Sequence, residues 1–262
     1  MCLQEIIEQN SLDTFYQPIV DLSSERTIGY EALNRPPSSS LFPNTENFYD
    51  FVGQTDQVFL FECFCRNISL KRFIERLNDK DSKQNFMLFL NIHPHVLMDT
   101  NYHSGETLQL LKEFNIEPCQ VVFEITEKSA VTDFAQFEKV LSHYRKQGFR
   151  IAVDDVGSGY NSLKTLIYLK PEFIKLDRSL IDHIDQQPQQ QRLVTLIAEY
   201  AKQSHIKIIG EGIERVEELE YIRKIGVDYA QGYALGRPDR NIKLGIMPTK
   251  LTEMKESFHV AN

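Results

Sequence analysis

No apolar run in this chain approaches the ~20 residues that a membrane-spanning helix requires, which excludes a helical span. The first ten residues, Met1 to Asn10, carry no apolar stretch of the kind found in a secretory leader, so none is expected. Basic charge is in deficit: 29 Lys and Arg face 37 Asp and Glu, for a net charge of −8 at pH 7. A groove that neutralises nucleic-acid phosphates needs the opposite field, so neither DNA nor RNA is an expected partner. Cysteine is scarce and badly spaced for zinc. Cys2, Cys63, Cys65 and Cys119 form no ligand-like pairs, and Cys63 and Cys65 share an apolar helical run, which suits core packing better than metal ligation. A reducing cytoplasm is the expected compartment. Fixed-length repeats and linker-like stretches are also missing, so the 262 residues read as one domain, 1–262. A hydrophobic content of 42%, with 17 Phe, is ample for a large core.

What the chain does contain is a regular alternation of short strand-like runs and helical stretches. Strands are expected at Phe15–Val20, Thr27–Leu33, Phe86–Asn91, Gln120–Ile125, Arg150–Asp154, Phe173–Leu176, Lys207–Gly210 and Asp228–Gly232. Helices are expected at 1–13, 59–77, 107–114, 133–147, 162–169, 189–203, 216–225 and 250–258. Residues 35–47 read as a loop, given Pro36-Pro37-Ser38-Ser39-Ser40 and Pro43-Asn44. The first two strands are joined by Asp21–Arg26 alone, too short for a helical crossover, so they should run antiparallel. The remainder recur at helix-crossover spacing. That pattern implies a mostly parallel barrel, whose strand C-termini converge on one mouth.

Polar and acidic residues gather at those C-termini: Glu31, Asn91, Glu124, Asp154 with Asp155, Lys175, Glu211 and Gln231. Carboxylates avoiding the core would account for one or two of these positions, not for so many converging on one mouth. Oxygen ligands collected in this way suit hard divalent cations such as Mg²⁺. Adjacent strand residues point apart, so Asp154 and Asp155 can serve one site only if the chain turns there, and Gly157-Ser158-Gly159 supplies a turn. Asp154 would then bridge two cations, Asp155 would hold the second, and Glu31, Asn91 and Glu124 would complete the shell of the first. Lys175, which alone would read as a structural ion-pair lysine, could here orient or help deprotonate a water. Glu211 and Glu214 are flanked by small residues, while Glu127 and Asp177 lie a short step past strand ends, where supporting roles compete with plain exposure.

The ordered set Glu31-Ala32-Leu33 with Arg35, Asn91, Glu124-Ile125-Thr126-Glu127, Asp154-Asp155-Val156-Gly157-Ser158-Gly159-Tyr160, Lys175-Leu176-Asp177, Glu211-Gly212-Ile213-Glu214 and Gln231 resembles the signature of the EAL-domain family, the cyclic di-GMP phosphodiesterases. The similarity runs from Gln17-Pro18 to Gly236-Arg237-Pro238. It implies a modified (β/α)₈ TIM-type barrel with one strand antiparallel to the rest, two Mg²⁺ or Mn²⁺ ions, and hydrolysis of cyclic di-GMP to linear pGpG. Ca²⁺ should bind without supporting turnover, because it prefers more ligands and longer bonds.

By the same resemblance, Glu31, Asn91, Glu124 and Asp154 correspond to the ligands of one metal, and Asp154 with Asp155 to those of the other. Lys175 and Glu211 correspond to the residues handling the attacking water, with Glu31 beside them. Arg35 resembles a phosphate contact, and Gln17, Gln231, Arg237 and Pro238 fall in the substrate region. Glu127 resembles the anchor of the loop after Asp155, with Asp177 and Glu214 in support. That loop couples dimerisation to metal binding in the family, so a homodimer through its surroundings is implied. Gly210 stands where alanine is frequent, Ala234-Leu235 replace a pair that is often bulky, and Phe59–Glu62 lacks an aspartate that many members carry. Two other readings stay open: a non-catalytic receptor built on the same barrel, and a hydrolase of another phosphodiester. Conversion of cyclic di-GMP to pGpG with Mg²⁺ separates them.

Overall fold

The computed structural model describes residues 3–37, 41–77, 86–92, 106–126, 134–158 and 162–248. Its strands are β1 (Asp13–Asp21), β2 (Thr27–Arg35), β3 (Met87–Asn91), β4 (Val121–Thr126), β5 (Arg150–Val156), β6 (Phe173–Leu176), β7 (Lys207–Gly210) and β8 (Tyr229–Ala230). They close into a barrel in chain order. β1 is antiparallel to both its neighbours, β2 and β8, and every other pair is parallel. The reversal is built by a tight turn in which the Asp21 carboxylate accepts hydrogen bonds from the backbone N–H groups of Ser23 and Ser24, both at 2.8 Å. This is the modified eightfold barrel that the short first connection and the family resemblance imply.

The helices are α1 (Leu3–Glu8), α2 (Thr45–Gly53), α3 (Val58–Arg76), α4 (Glu106–Phe114), α5 (Phe134–Lys146), α6 (Ser162–Leu169), α7 (Arg178–Ile181), α8 (Pro188–Gln203) and α9 (Val216–Lys224). No helix among the described residues is long and apolar enough to cross a membrane. Two expectations need correction. The leading helix is shorter than 1–13, because Asn10 adopts φ +51° and β1 begins at Asp13. The loop expected over 35–47 stops at Asn44, whose side chain caps α2 by accepting the Asn47 N–H at 2.8 Å, while Phe48 and Val52 bury one face of that helix. The helix expected at 250–258 lies outside the described residues.

Outward-facing strand residues and the helices form the main core, with Tyr30, Phe61, Phe123 and Ile174 among its fully buried members. A second, separate cluster fills the lumen: Ile19, Phe89, Val122, Ala152, Phe173 and Ile209. These come from six strands and lie as a plug across the barrel, the way side-chain layers close barrels of this size.

Candidate active site

Strand side chains repeat every two residues, and the lumen plug therefore dictates what stands above it. Two residues beyond Phe89, Val122, Ala152, Phe173 and Ile209 come Asn91, Glu124, Asp154, Lys175 and Glu211. β1 runs the other way, so its contribution lies two residues before Ile19, at Gln17, directly opposite Glu31 in the β1–β2 register. The apolar floor and the polar layer are thus neighbouring rungs of the same strands.

Lys175, 1% exposed, is the centre of the polar layer. Its Nζ lies 2.7 Å from Glu124, 2.8 Å from Glu211, and 3.4 Å from both Glu31 and Asp154. Burial opposes its charge, but the carboxylates of Asp154, Glu124, Glu211 and Glu31 outweigh that and hold its pKa well above the ordinary lysine range. Burial drives the carboxyl groups of Glu124 and Glu211 well above the usual carboxylate range, more than Lys175 can offset, and raises Asp154 as well. Glu31 is the exception. Burial pushes it up too, yet Lys175 and hydrogen bonds from Gln231 and Asn91 hold it below its ordinary value. Gln231 Nε2 donates to Glu31 Oε2 at 2.6 Å and to Gln17 Oε1 at 3.1 Å, and Asn91 Nδ2 reaches Glu31 Oε1 at 3.3 Å.

Asp154 and Asp155 do face one site, by a different device from the expected glycine turn. Asp155 itself adopts φ +57°, and the β5–β6 register shifts between Val153 and Val156. A local bulge with a left-handed residue re-aims the second side chain. Carboxylate oxygens of Asp154, Asp155 and Glu211 consequently lie within 4.8 Å of one another. These groups suit a hard divalent cation: the donors are all oxygen, and Glu124 Oε2 is buried with no hydrogen-bond partner.

Two adjoining cavities open here. The first, about 330 Å³, is lined by the acidic cluster together with Gln17, Gln231, Asp177, Glu214 and Tyr233. The second, about 530 Å³, lies between the ends of β2 and β3 and helices α2 and α3, and shares Leu33 and Asp155 with the first. Arg35 stands on the rim of the second cavity. Asp177 caps α7, accepting the Ser179 N–H at 2.9 Å, and Glu214 pairs with Arg178 across the mouth of the first. Arg237 stacks on the Tyr233 ring, 4.1 Å from its centroid. Pro238 lines neither cavity. Glu127 lies outside the described residues. Arg178 and Tyr233 were not singled out from the sequence; Arg178 meets Glu214 across 36 residues, a pairing that spacing does not reveal.

A profile of the EAL domain matches residues 2–238. The chain belongs to the EAL-domain family. This EAL domain is 30% identical over 241 residues to the probable cyclic di-GMP phosphodiesterase PdeB of Escherichia coli K12, covering 88% of this chain and 43% of PdeB. It is 29% identical over 236 residues to the cyclic di-GMP phosphodiesterase RocR of Pseudomonas aeruginosa, covering 88% and 58%. It therefore spans only about half the length of these curated relatives. Among solved structures, Klebsiella pneumoniae BlrP1 in complex with manganese and cyclic di-GMP matches this EAL domain with a TM-score of 0.79 at 25% identity, over 91% of this chain and 59% of that one. A further BlrP1 structure holds calcium with the same dinucleotide.

Proposed function

We propose that this chain hydrolyses cyclic di-GMP to linear pGpG, using two divalent cations, Mg²⁺ or Mn²⁺. The observation that carries the reading is a buried lysine within 3.4 Å of four strand-end carboxylates, with Asp155 completing an oxygen cluster beside them. Glu31, Asn91, Glu124 and Asp154 would hold one cation, and Asp154 with Asp155 the other. Bound there, the cations would polarise the scissile phosphate and acidify water. Glu211, with Lys175 at 2.8 Å, is placed to receive a proton from the attacking water. The water oxygen forms the new bond to phosphorus, the bond from phosphorus to the ribose 3′-oxygen breaks, and that oxygen takes a proton from solvent to become the 3′-hydroxyl of pGpG. Lys175 orients the water and balances the surrounding negative charge.

The extended dinucleotide fits two adjoining cavities better than one. One base enters the second cavity, with Arg35 at its rim to meet a phosphate, and the other lies toward Tyr233 and Arg237. Gln17 and Gln231 hold Glu31 in place, and Asp177 and Glu214 support the surrounding loops. Residues 1–262 act as one cytoplasmic domain. A homodimer forms through the face that follows Asp155, where α6 exposes Ile167 and Tyr168, and α8, which follows it around the barrel, exposes Leu193, Leu196 and Tyr200.

The test is turnover of cyclic di-GMP in Mg²⁺, Mn²⁺, Ca²⁺ and EDTA, with product identified by chromatography. The reading requires pGpG in the first two and none in the last two. Equal hydrolysis in EDTA would remove the cations from the reaction, and no hydrolysis in any would leave a receptor.

A further inference from the structure

Outside the catalytic layer, one polar relay stands out, joining a guanidinium, a hydroxyl and a carboxamide in sequence. Thr14 and Asn34 face each other in the β1–β2 register, on the strand faces turned away from the lumen. Arg72 on α3 donates from Nη1 to Thr14 Oγ1 at 3.1 Å. A guanidinium has no acceptor, so the Thr14 hydroxyl accepts there and spends its single proton elsewhere. It donates to Asn34 Oδ1 at 2.8 Å. The carboxamide is held from two sides: its oxygen accepts from Thr14 and also lies 3.2 Å from Ser69 Oγ, while Nδ2 donates to that same Ser69 Oγ at 3.0 Å. Ser69 and Thr14 are buried, 0% and 1% exposed, whereas Asn34 is partly exposed and lines the second cavity between Arg35 and Ser69. One N–H of Nδ2 is committed to Ser69. The other remains.

We propose that Asn34 determines base specificity: its second N–H, locked toward the second cavity by the Arg72–Thr14–Asn34 relay, reads an acceptor on the six-position of a purine. Guanine carries a carbonyl oxygen there and accepts. Adenine carries an amino group, and two donors would meet with neither satisfied. The inference rests on the reading that a cyclic dinucleotide places one base in this cavity. A freely rotating amide would turn its oxygen to adenine and discriminate little, and the relay prevents that turn. Thr14 is a positioning residue in this scheme, buried and out of reach of any base.

The experiment measures the ratio of affinities for cyclic di-GMP and cyclic di-AMP by calorimetry in Ca²⁺, and turnover of both in Mg²⁺, for the wild-type chain, Asn34→Asp and Thr14→Val. The wild-type chain should prefer cyclic di-GMP by at least about 100-fold, because a site built to hydrogen-bond one group leaves its own polar atom unpaired against the analogue. Asn34→Asp keeps the bond from Thr14 and the side-chain volume but presents an acceptor, so the ratio should fall by at least about tenfold, the order of one hydrogen bond lost and one repulsion gained. Thr14→Val frees the amide to rotate and should lower the ratio in the same direction, with thermal unfolding recorded alongside. A purely structural role would lower both affinities together and leave the ratio unchanged. An unchanged ratio in both variants overturns the inference even if cyclic di-GMP is hydrolysed. Binding selectivity that collapses in Asn34→Asp without any wild-type turnover sinks the phosphodiesterase reading and leaves this one standing. A wild-type chain that binds neither dinucleotide overturns both.

Discussion

The two rungs of the barrel lumen are made by the same strands and are chemical opposites. In the lower one Ile19, Phe89, Val122, Ala152, Phe173 and Ile209 pack with no polar group to satisfy. In the upper one Glu31, Glu124, Asp154 and Glu211 crowd around a single ammonium, with Asp155 beside them. A buried aliphatic or aromatic side chain contributes roughly 1.5–3 kcal/mol. Two carboxylates ~4 Å apart repel by roughly 4 kcal/mol at an effective dielectric of 20. The lower rung and the outer core hold the barrel together, and that stability lets the upper rung keep an arrangement unfavourable in itself. A change in one rung should therefore be read differently from a change in the other.

The sharpest way to break the comparison is Lys175→Met. It leaves buried Glu31, whose pKa Lys175 helps hold below the ordinary value, without its counter-charge. Turnover should drop by at least ~10³-fold, within the span assigned to positioned proton-handling groups. Unfolding in EDTA should become easier by about 3–5 kcal/mol, the cost of stripping one partner from a buried pair. Wild-type turnover in this variant would take Lys175 out of the chemistry. Phe89→Ala attacks the lower rung instead and should cost about 3–5 kcal/mol by denaturant titration, while the gain in melting temperature on adding Mn²⁺ keeps its size. Loss of that gain would mean the rungs are not independent.

Glu31→Ala should lower turnover by at least ~10²-fold with the far-ultraviolet circular dichroism intact, since even supporting contacts at metal sites cost 10–100-fold. Near-normal rates would place Glu31 outside the site. A melt in EDTA against one in Mn²⁺ at a hundredfold excess over its dissociation constant should differ by about 2.7 kcal/mol, a rise of at least ~5 °C for a chain of this size. Asp154→Ala should gain much less. Identical shifts for the two chains would disprove a shared cation site at Asp154.

The smallest effect concerns protons. In the metal-free protein burial holds the carboxyl groups of Glu124 and Glu211 well above their ordinary range. Their raised folded-state pKa values mean that protons stay bound as pH rises past the unfolded values, so the folded state loses stability as pH climbs through the raised ones. Mn²⁺ must displace those protons, and its affinity should weaken as pH falls. Calorimetry in two buffers of different ionisation enthalpy measures the release. A binding enthalpy independent of buffer would show that no proton leaves.

Most of the polar rung was legible because its rule is local. A strand that buries Phe89 or Phe173 inward must present Asn91 or Lys175 on the same face two residues later. The antiparallel first strand was legible for an equally local reason, the shortness of Asp21–Arg26. α2 was not, because the proline- and serine-rich run before it reads as loop until Asn44 supplies a cap. Nor was the left-handed backbone at Asp155. Gly157, also at positive φ (+107°), was the residue expected to turn the chain, whereas the aspartate turns itself within a bulge set by the β5–β6 register. Thr14, Asn34 and Ser69 carry no sequence signal at all, being ordinary polar residues 20 and 35 positions apart.

By itself, then, the sequence determined the alternation of elements, the residue types on the lumen face of each strand and the family, since each depends on neighbours a few positions apart or on an ordered set of motifs. Barrel closure decided the rest. Only when β8 pairs with β1 does Gln231 reach Gln17 and Glu31, 214 and 200 residues away, and only then does one lysine stand among carboxylates from β2, β4, β5 and the end of β7. The raised and lowered pKa values of that cluster belong to the closed barrel too, because burial and counter-charge act through space and have no counterpart in an open chain.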